Sequence, residues 1–253
     1  MLSDDQVRRY HEESYVIPDF RLADDTLAAI RADHGRLLAQ KPEFRDYCPA
    51  LLAHDLTFLN YACDPAILDM VAQIIGPDIA LWNSSFFAKP ANDGREPPWH
   101  QDGEYWPIRP IATCTVWMAI DDASTENGCL RFIPGSHAEK RLRSHNSNDD
   151  PAYTLNQELA AEEYDEADAV DLELKAGQVS LHDIFLVHGS KANTSPISRR
   201  GMTLRYKPTT SVYDRDLAED IFKTTGTVNQ NDRTLFLMRG VDRSGKNDFR
   251  VRN

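Results

Sequence analysis

The segment PPWHQDGEYWP, residues 97–107, sets a histidine and an aspartate one residue apart, His100 and Asp102. In extended backbone, residues i and i+2 point to the same side, so both side chains can reach one ion. By itself an H-x-D pair is weak evidence, because polar residues of a proline-rich turn give the same pattern. His188 changes that. It ends the apolar run in FLVHGS, residues 185–190, where a side chain at the mouth of a small barrel would sit. Two imidazoles and one carboxylate on one face leave coordination positions open, the facial donor set of non-haem Fe(II) oxygenases. Zinc is more often held in a closed set that includes cysteine, and no cysteine stands near these residues.

Arg199 follows His188 by eleven positions. A guanidinium holds a planar carboxylate through two parallel hydrogen bonds, which suits the distal carboxylate of a chelating co-substrate such as 2-oxoglutarate. Arg200 competes for the same part, since alternation along a strand lets only one of the two face inward.

The elements that would position these residues change character along the chain. Ser3 and Gln6 form an S-x-x-Q capping box that opens a helix running to about Glu13. Asp24 or Asp25 caps a longer helix with Leu27, Ile30, His34 and Leu37 or Leu38 on one face. DPAILDMVAQIIGP reads as a third helix, with Asp64 at the N-cap, Pro65 in the first turn and Gly76 past the end. From Ile79 the pattern is short β-runs: IALWNSSFFAKP, ATCTVWMAIDD, GCLRFIPGS, AVDLELKAGQVSL, FLVHGS and GMTLRYKPTT. Helices followed by many strands imply an α+β, mainly β domain, a sandwich or barrel buttressed by helices. The expected layout is one domain over 1–253, helical to about 78, with the β core over 79–210. An acid-rich stretch over 139–169 is either a lid or a solvated excursion.

Composition narrows the class. The 253 residues are 41% hydrophobic, enough for a core, and the net charge is −12. An acidic chain argues against nucleic acid or an anionic membrane as partner. Cys48, Cys63, Cys114 and Cys129 show no C-x-x-C pairing, and the N-terminus has no apolar leader. A cytoplasmic protein with a small-molecule substrate is the expectation.

Taken in order, FFAKP, PPWHQDGEYW, TVWMAIDDASTENGCLRFIPGSH, LKAGQVSLHD, HGSKANTSPISRR and LRYKP resemble the phytanoyl-CoA dioxygenase (PhyH) family of Fe(II)/2-oxoglutarate-dependent oxygenases, over about residues 81–208. The resemblance implies a double-stranded β-helix, a jelly roll of cupin type with helices packed on one sheet. It implies that His100, Asp102 and His188 hold Fe(II), and that Arg199, with Ser190 as hydroxyl partner, binds 2-oxoglutarate. Gln101, Trp117 and Lys89 match positions near the co-substrate or metal pocket of relatives. The implied reaction consumes O2, releases succinate and CO2, and hydroxylates the substrate. Related halogenases replace the carboxylate ligand by a small residue, so Asp102 favours hydroxylation or another oxidation.

Other residues stay open between two readings. Alternation puts Asn83, Ser85, Phe87 and Lys89 on one face of a strand, either lining the barrel around a substrate or solvated. Tyr105 and Trp106 either wall the substrate or pack in the core. His137 is expected at the surface, and His182 in a supporting rather than ligating place. Arg95, Arg109, Arg131, Arg141 and Arg143 flank the site-bearing segments and would suit an anionic substrate, or plain solvation. Two rival functions remain: a 2-oxoglutarate- or metal-binding sensor barrel without turnover, and a cupin-like metal isomerase or hydrolase, which would leave Arg199 and Ser190 unused.

Overall fold

Residues 1–226 and 228–252 are described by the computed structural model. Helix α1 (Asp4–Glu13) opens on the reciprocal Ser3–Gln6 capping box. Helix α2 (Asp24–Gln40) is capped by Ala23 without a side-chain bond, and Asp24 and Asp25 lie in its first turn instead. Helix α3 (Pro65–Ile75) starts where the Asp64 carboxylate accepts from the amides of Ala66 and Ile67, and ends at Gly76.

Two antiparallel sheets face each other. The larger contains β1 (Tyr15–Val16), β2 (Tyr47–Cys48), β3 (Ile79–Lys89) and β4 (Cys114–Ala119). The smaller contains β5 (Leu130–Phe132), β6 (Val170–Leu172) and β8 (His188–Gly189), in the order β8-β5-β6. Strands β7 (Val179–Asp183), β9 (Arg199–Pro208) and β10 (Phe236–Arg239) complete the larger sheet, whose order is β1-β7-β4-β9-β3-β10, with β2 also on β3. This is the mainly β jelly roll that the resemblance implies. A further helix, α4 (Arg215–Thr225), capped by Asp214 and ending at Gly226, and edge strand β10 lie beyond residue 210, outside the expected β core.

Strand alternation decides which side chains reach the interior. On the outer face of the large sheet, Leu81, Phe86, Val116, Met118, Leu181, Met202 and Leu204 form one core with Tyr10, Leu27, Ile30, Leu37, Ile67 and Met70 of the helices. Each such fully buried aliphatic side chain contributes roughly 1.5–3 kcal/mol, which presses the helices onto this sheet. The opposite face must then point between the sheets. There Trp117 and Ala119 pack on Leu130, Phe132, Leu172 and Leu186. The same alternation turns Thr115, His182, Arg199, Thr203 and Arg205 inward.

The 139–169 stretch is partly ordered into structure of its own. It pairs His145–Ser147 with Gln157–Leu159 in a hairpin whose Thr154, Leu155 and Asn156 line an internal cavity. No helix among the described residues is long and apolar enough to cross a membrane.

Candidate metal centre

His100 and His188 come from segments far apart in sequence that exchange two backbone hydrogen bonds. The His100 amide donates to the His188 carbonyl at 2.9 Å, and the reverse bond is 3.0 Å. This bridge sets the two rings 4.2 Å apart, centroid to centroid. His100 Nδ1 lies 2.7 Å from the Pro98 carbonyl oxygen, and His188 Nδ1 lies 3.0 Å from that of Leu186. A carbonyl only accepts, so both Nδ1 atoms carry the proton and both Nε2 atoms keep a lone pair. Asp102 Oδ1 is 3.8 Å from His100 Nε2. One donor atom from each of His100, Asp102 and His188 lies within 4.8 Å of the others, and all three residues are buried.

Burial, and then His188, hold the His100 imidazole well below the usual histidine range, so it is neutral and ready to ligate. His182 is lowered in the same way by burial and His188. Its Nε2 stands 3.9 Å from Asp102 Oδ2, the other oxygen of that carboxylate, and its Nδ1 has no hydrogen-bond partner. A third imidazole therefore backs the carboxylate, a supporting place as the sequence suggests.

A narrow cleft of about 40 Å³ leads from these donors, lined by Trp117, Ser190, Arg199 and Thr203 among others. Arg199 is 1% exposed and has no carboxylate within ion-pair distance among the described residues. It donates to the Gly128 carbonyl at 2.6 Å and weakly to that of Phe87 at 3.4 Å, while its Nε has no partner. Its guanidinium lies 5.4 Å from the Trp117 ring. Burial pulls it down to about 10, still charged near neutrality. The Ser190 hydroxyl in the same cleft also lacks a partner. Orphaned buried donors are costly unless something completes them, and a dicarboxylate would. Arg200 by contrast points outward and is fully used by Asp121, at 2.7 and 2.8 Å.

Two expected pocket residues face elsewhere. Gln101 sits between His100 and Asp102, so the alternation that unites those two turns it away. Its amide donates to the Phe185 carbonyl at 2.7 Å and its oxygen accepts from the Arg143 amide at 2.7 Å, pinning the adjoining loops. Lys89 is buried, but its ammonium donates to the carbonyls of Lys191 and Ser190 and lines neither cavity. It braces the turn after His188. Likewise His137 is buried rather than at the surface, and its Nε2 donates to the His11 carbonyl at 3.0 Å.

Beyond Asp102 opens a larger cavity of about 270 Å³, walled by Tyr47, Asn83, Phe87, Tyr105, Trp106, Arg205 and Arg233 among others. The Asn83–Lys89 face therefore lines the interior, although Ser85 stands behind Arg205 and accepts from its Nη1 at 2.6 Å. Tyr105 and Trp106 line this cavity and also pack in one cluster with Trp82 and Ile184. Sequence reasoning missed Tyr47, Arg205 and Arg233. Arg205 was findable, being six residues from Arg199 on one strand and hence on the same face. Arg233 follows no motif.

Known proteins share this fold and sequence pattern. The phytanoyl-CoA dioxygenase (PhyH) family matches residues 1–201. A Dictyostelium discoideum phytanoyl-CoA dioxygenase domain-containing protein 1 homolog is 33% identical over 157 residues, which is 60% of this chain and 56% of that protein. The match thus spans little more than half of that relative's length. An ectoine dioxygenase of Bordetella parapertussis is 27% identical over 81% of this chain and 75% of its own. The apo structure of a non-heme monooxygenase, ThoJ, superposes with a TM-score of 0.76 at 24% identity, covering 98% of this chain and 88% of that one. The jelly roll, its inward-facing histidines and aspartate, and a family match over most of the sequence all converge: the chain belongs to the phytanoyl-CoA dioxygenase family.

Proposed function

We propose that this chain is an Fe(II)- and 2-oxoglutarate-dependent dioxygenase that hydroxylates an unactivated C–H bond of a small molecule, with residues 1–253 acting as one oxygenase domain. The observation that carries this is the pairing of a buried His–His–Asp donor set with an uncompensated buried arginine in the adjoining cleft. His100 Nε2, His188 Nε2 and an Asp102 oxygen would hold Fe(II); three protein donors leave positions for a chelate and O2. The iron would couple oxidative decarboxylation of 2-oxoglutarate, to succinate and CO2, with oxygen insertion into the substrate.

The protein's own part is orientation and exclusion of water. Pro98 and Leu186 fix the tautomer and tilt of the two ligating imidazoles. Arg199 and Ser190 would take the distal carboxylate of 2-oxoglutarate, so that its keto acid end reaches the metal. Phe87, Tyr105 and Trp106 would keep the larger cavity dry and hold the substrate beside the metal position. Asn83 would supply a polar contact there.

The test is anaerobic. Addition of Fe(II) and 2-oxoglutarate should produce the weak visible charge-transfer band of the chelate, and admission of O2 should produce succinate. Absence of the band in the wild-type protein would sink the proposal. A band with no succinate across a broad metabolite panel would leave a binding barrel without turnover.

A further inference from the structure

The five arginines near the site-bearing segments are engaged by other protein groups. Arg131 pairs with Glu166 and Asp171, Arg141 with Glu139 and Glu163, and Arg95 with Asp46. Arg109 and Arg143 donate to backbone carbonyls. Two other arginines have a different character. Arg205, from β9, stands where the narrow cleft and the 270 Å³ cavity meet and lines both, and Arg233, from the segment before β10, lines the larger one. Arg205 is only 5% exposed, and neither arginine has a carboxylate within 4.0 Å among the described residues.

Their hydrogen bonds are incomplete. Arg205 gives one donor to the Ser85 hydroxyl, and Arg233 gives one to the Pro49 carbonyl at 3.1 Å. The Nε of each is buried without a partner. The Arg205 guanidinium lies 5.0 Å from the Trp106 ring and 5.8 Å from that of Phe87, which hold it facing the cavity. Both guanidinium-bearing side chains line this one cavity; burial lowers Arg233, Tyr213 and Tyr47 oppose that, and the charge of Arg205 adds to it. Two like charges sharing a low-dielectric site repel unless an anion sits with them.

The charge balance of the whole site sharpens the point, on the oxygenase reading given above. Fe(II), Asp102, Arg199 and the 2-oxoglutarate dianion compensate one another, which leaves both cavity arginines unmatched. The geometry points to an anionic substrate: a carboxylate or phosphoryl oxyanion held by Arg205 and Arg233, its carbon skeleton lying along Tyr105 and Trp106 toward the metal donors. With an overall charge of −12, a cation-lined cavity stands out on this molecule.

Binding can be tested without turnover. Chelator-treated full-length protein would be titrated calorimetrically with inorganic phosphate, benzoate, phenylphosphonate and the neutral benzamide. At least one anion should bind at least tenfold more tightly than benzamide. Arg205→Met and Arg233→Gln should each remove that preference, while Arg199→Gln, altered only in the other cleft, should keep it. Arg233→Gln, at the less buried of the two positions, covers the case in which Arg205→Met does not fold. Equal binding of benzamide, no binding of any anion, or a preference that survives in both cavity variants and disappears in Arg199→Gln would overturn the assignment. Succinate formation, measured separately on iron-loaded protein, reports on the oxygenase reading, so the two can fail independently.

Discussion

Gly201 offers a direct test of how the narrow cleft is shaped. It sits on β9 directly beneath Trp117, and a Cβ there would lie 2.3, 2.5 and 2.7 Å from Cζ2, Cε2 and Nε1 of the indole. Carbon contacts are ordinarily about 3.5–4.0 Å, so the ring would have to move by roughly 1 Å. Its other neighbours, Leu130 and Leu172, are buried and close-packed, whereas the cleft of about 40 Å³ holds space. Gly201→Ala should therefore push Trp117 toward Arg199 and narrow the place where the co-substrate would lie. Overpacking of this kind costs about 1–3 kcal/mol. The backbone needs no glycine here, because Gly201 has no positive φ, so the effect is purely steric. Urea denaturation should show the loss of stability, and anaerobic titration with Fe(II) present should show 2-oxoglutarate affinity falling at least about tenfold. Stability within about 0.5 kcal/mol of wild type, with affinity unchanged within about twofold, would refute the reasoning. Gly35 is the control: it lies inside α2, where an added Cβ would meet nothing within 4 Å, so Gly35→Ala should stabilise by roughly 0.5–1 kcal/mol.

Arg199→Gln should weaken 2-oxoglutarate by about 30- to 1,000-fold, the equivalent of losing a bidentate charge-assisted pair worth on the order of 2–4 kcal/mol, read from the same chelate titration. Fe(II) binding in the absence of 2-oxoglutarate should stay within about threefold of wild type. His34 is buried against Phe86 with its Nε2 unpartnered, and burial, then Arg200, lower it to about 4. The neutral form is favoured in the fold, so the unfolded chain binds the extra proton between about pH 6.5 and 4. His34 thus costs nothing above that window and about 3 kcal/mol at its lower end. Urea unfolding at about pH 7, 5.5 and 4.5 should show a shallower loss for His34→Leu than for wild type; equal slopes would contradict the assignment. Replacing any one of His100, Asp102 or His188 by Ala should abolish the chelate band and succinate formation while leaving the circular dichroism of the protein unchanged.

The sequence alone was enough for the periodic parts of the fold and for bringing His100, Asp102 and His188 together as a candidate donor set. Helix α1 is legible from a capping box, α3 from Asp64, Pro65 and Gly76, and the strands from alternation, because these signals act within a few residues of one another. The spacing of His100 and Asp102 is local too, but the pair gains weight only from His188 and Arg199, which are legible through their place in an ordered series of segments. Direction was harder. Gln101 lies inside the motif, but alternation sends it to the far side, where Phe185 and Arg143 claim its amide. Lys89 alternates correctly with Asn83, but its long stem reaches past the cavity to the carbonyls after His188. The larger cavity belongs to the tertiary structure alone. Tyr47, Asn156, Arg205 and Arg233 come from four separated segments, and nothing local in the sequence records that they share one wall. Local patterns specify the element a residue sits in; which charges remain unpaired is decided only when distant elements close around the same space.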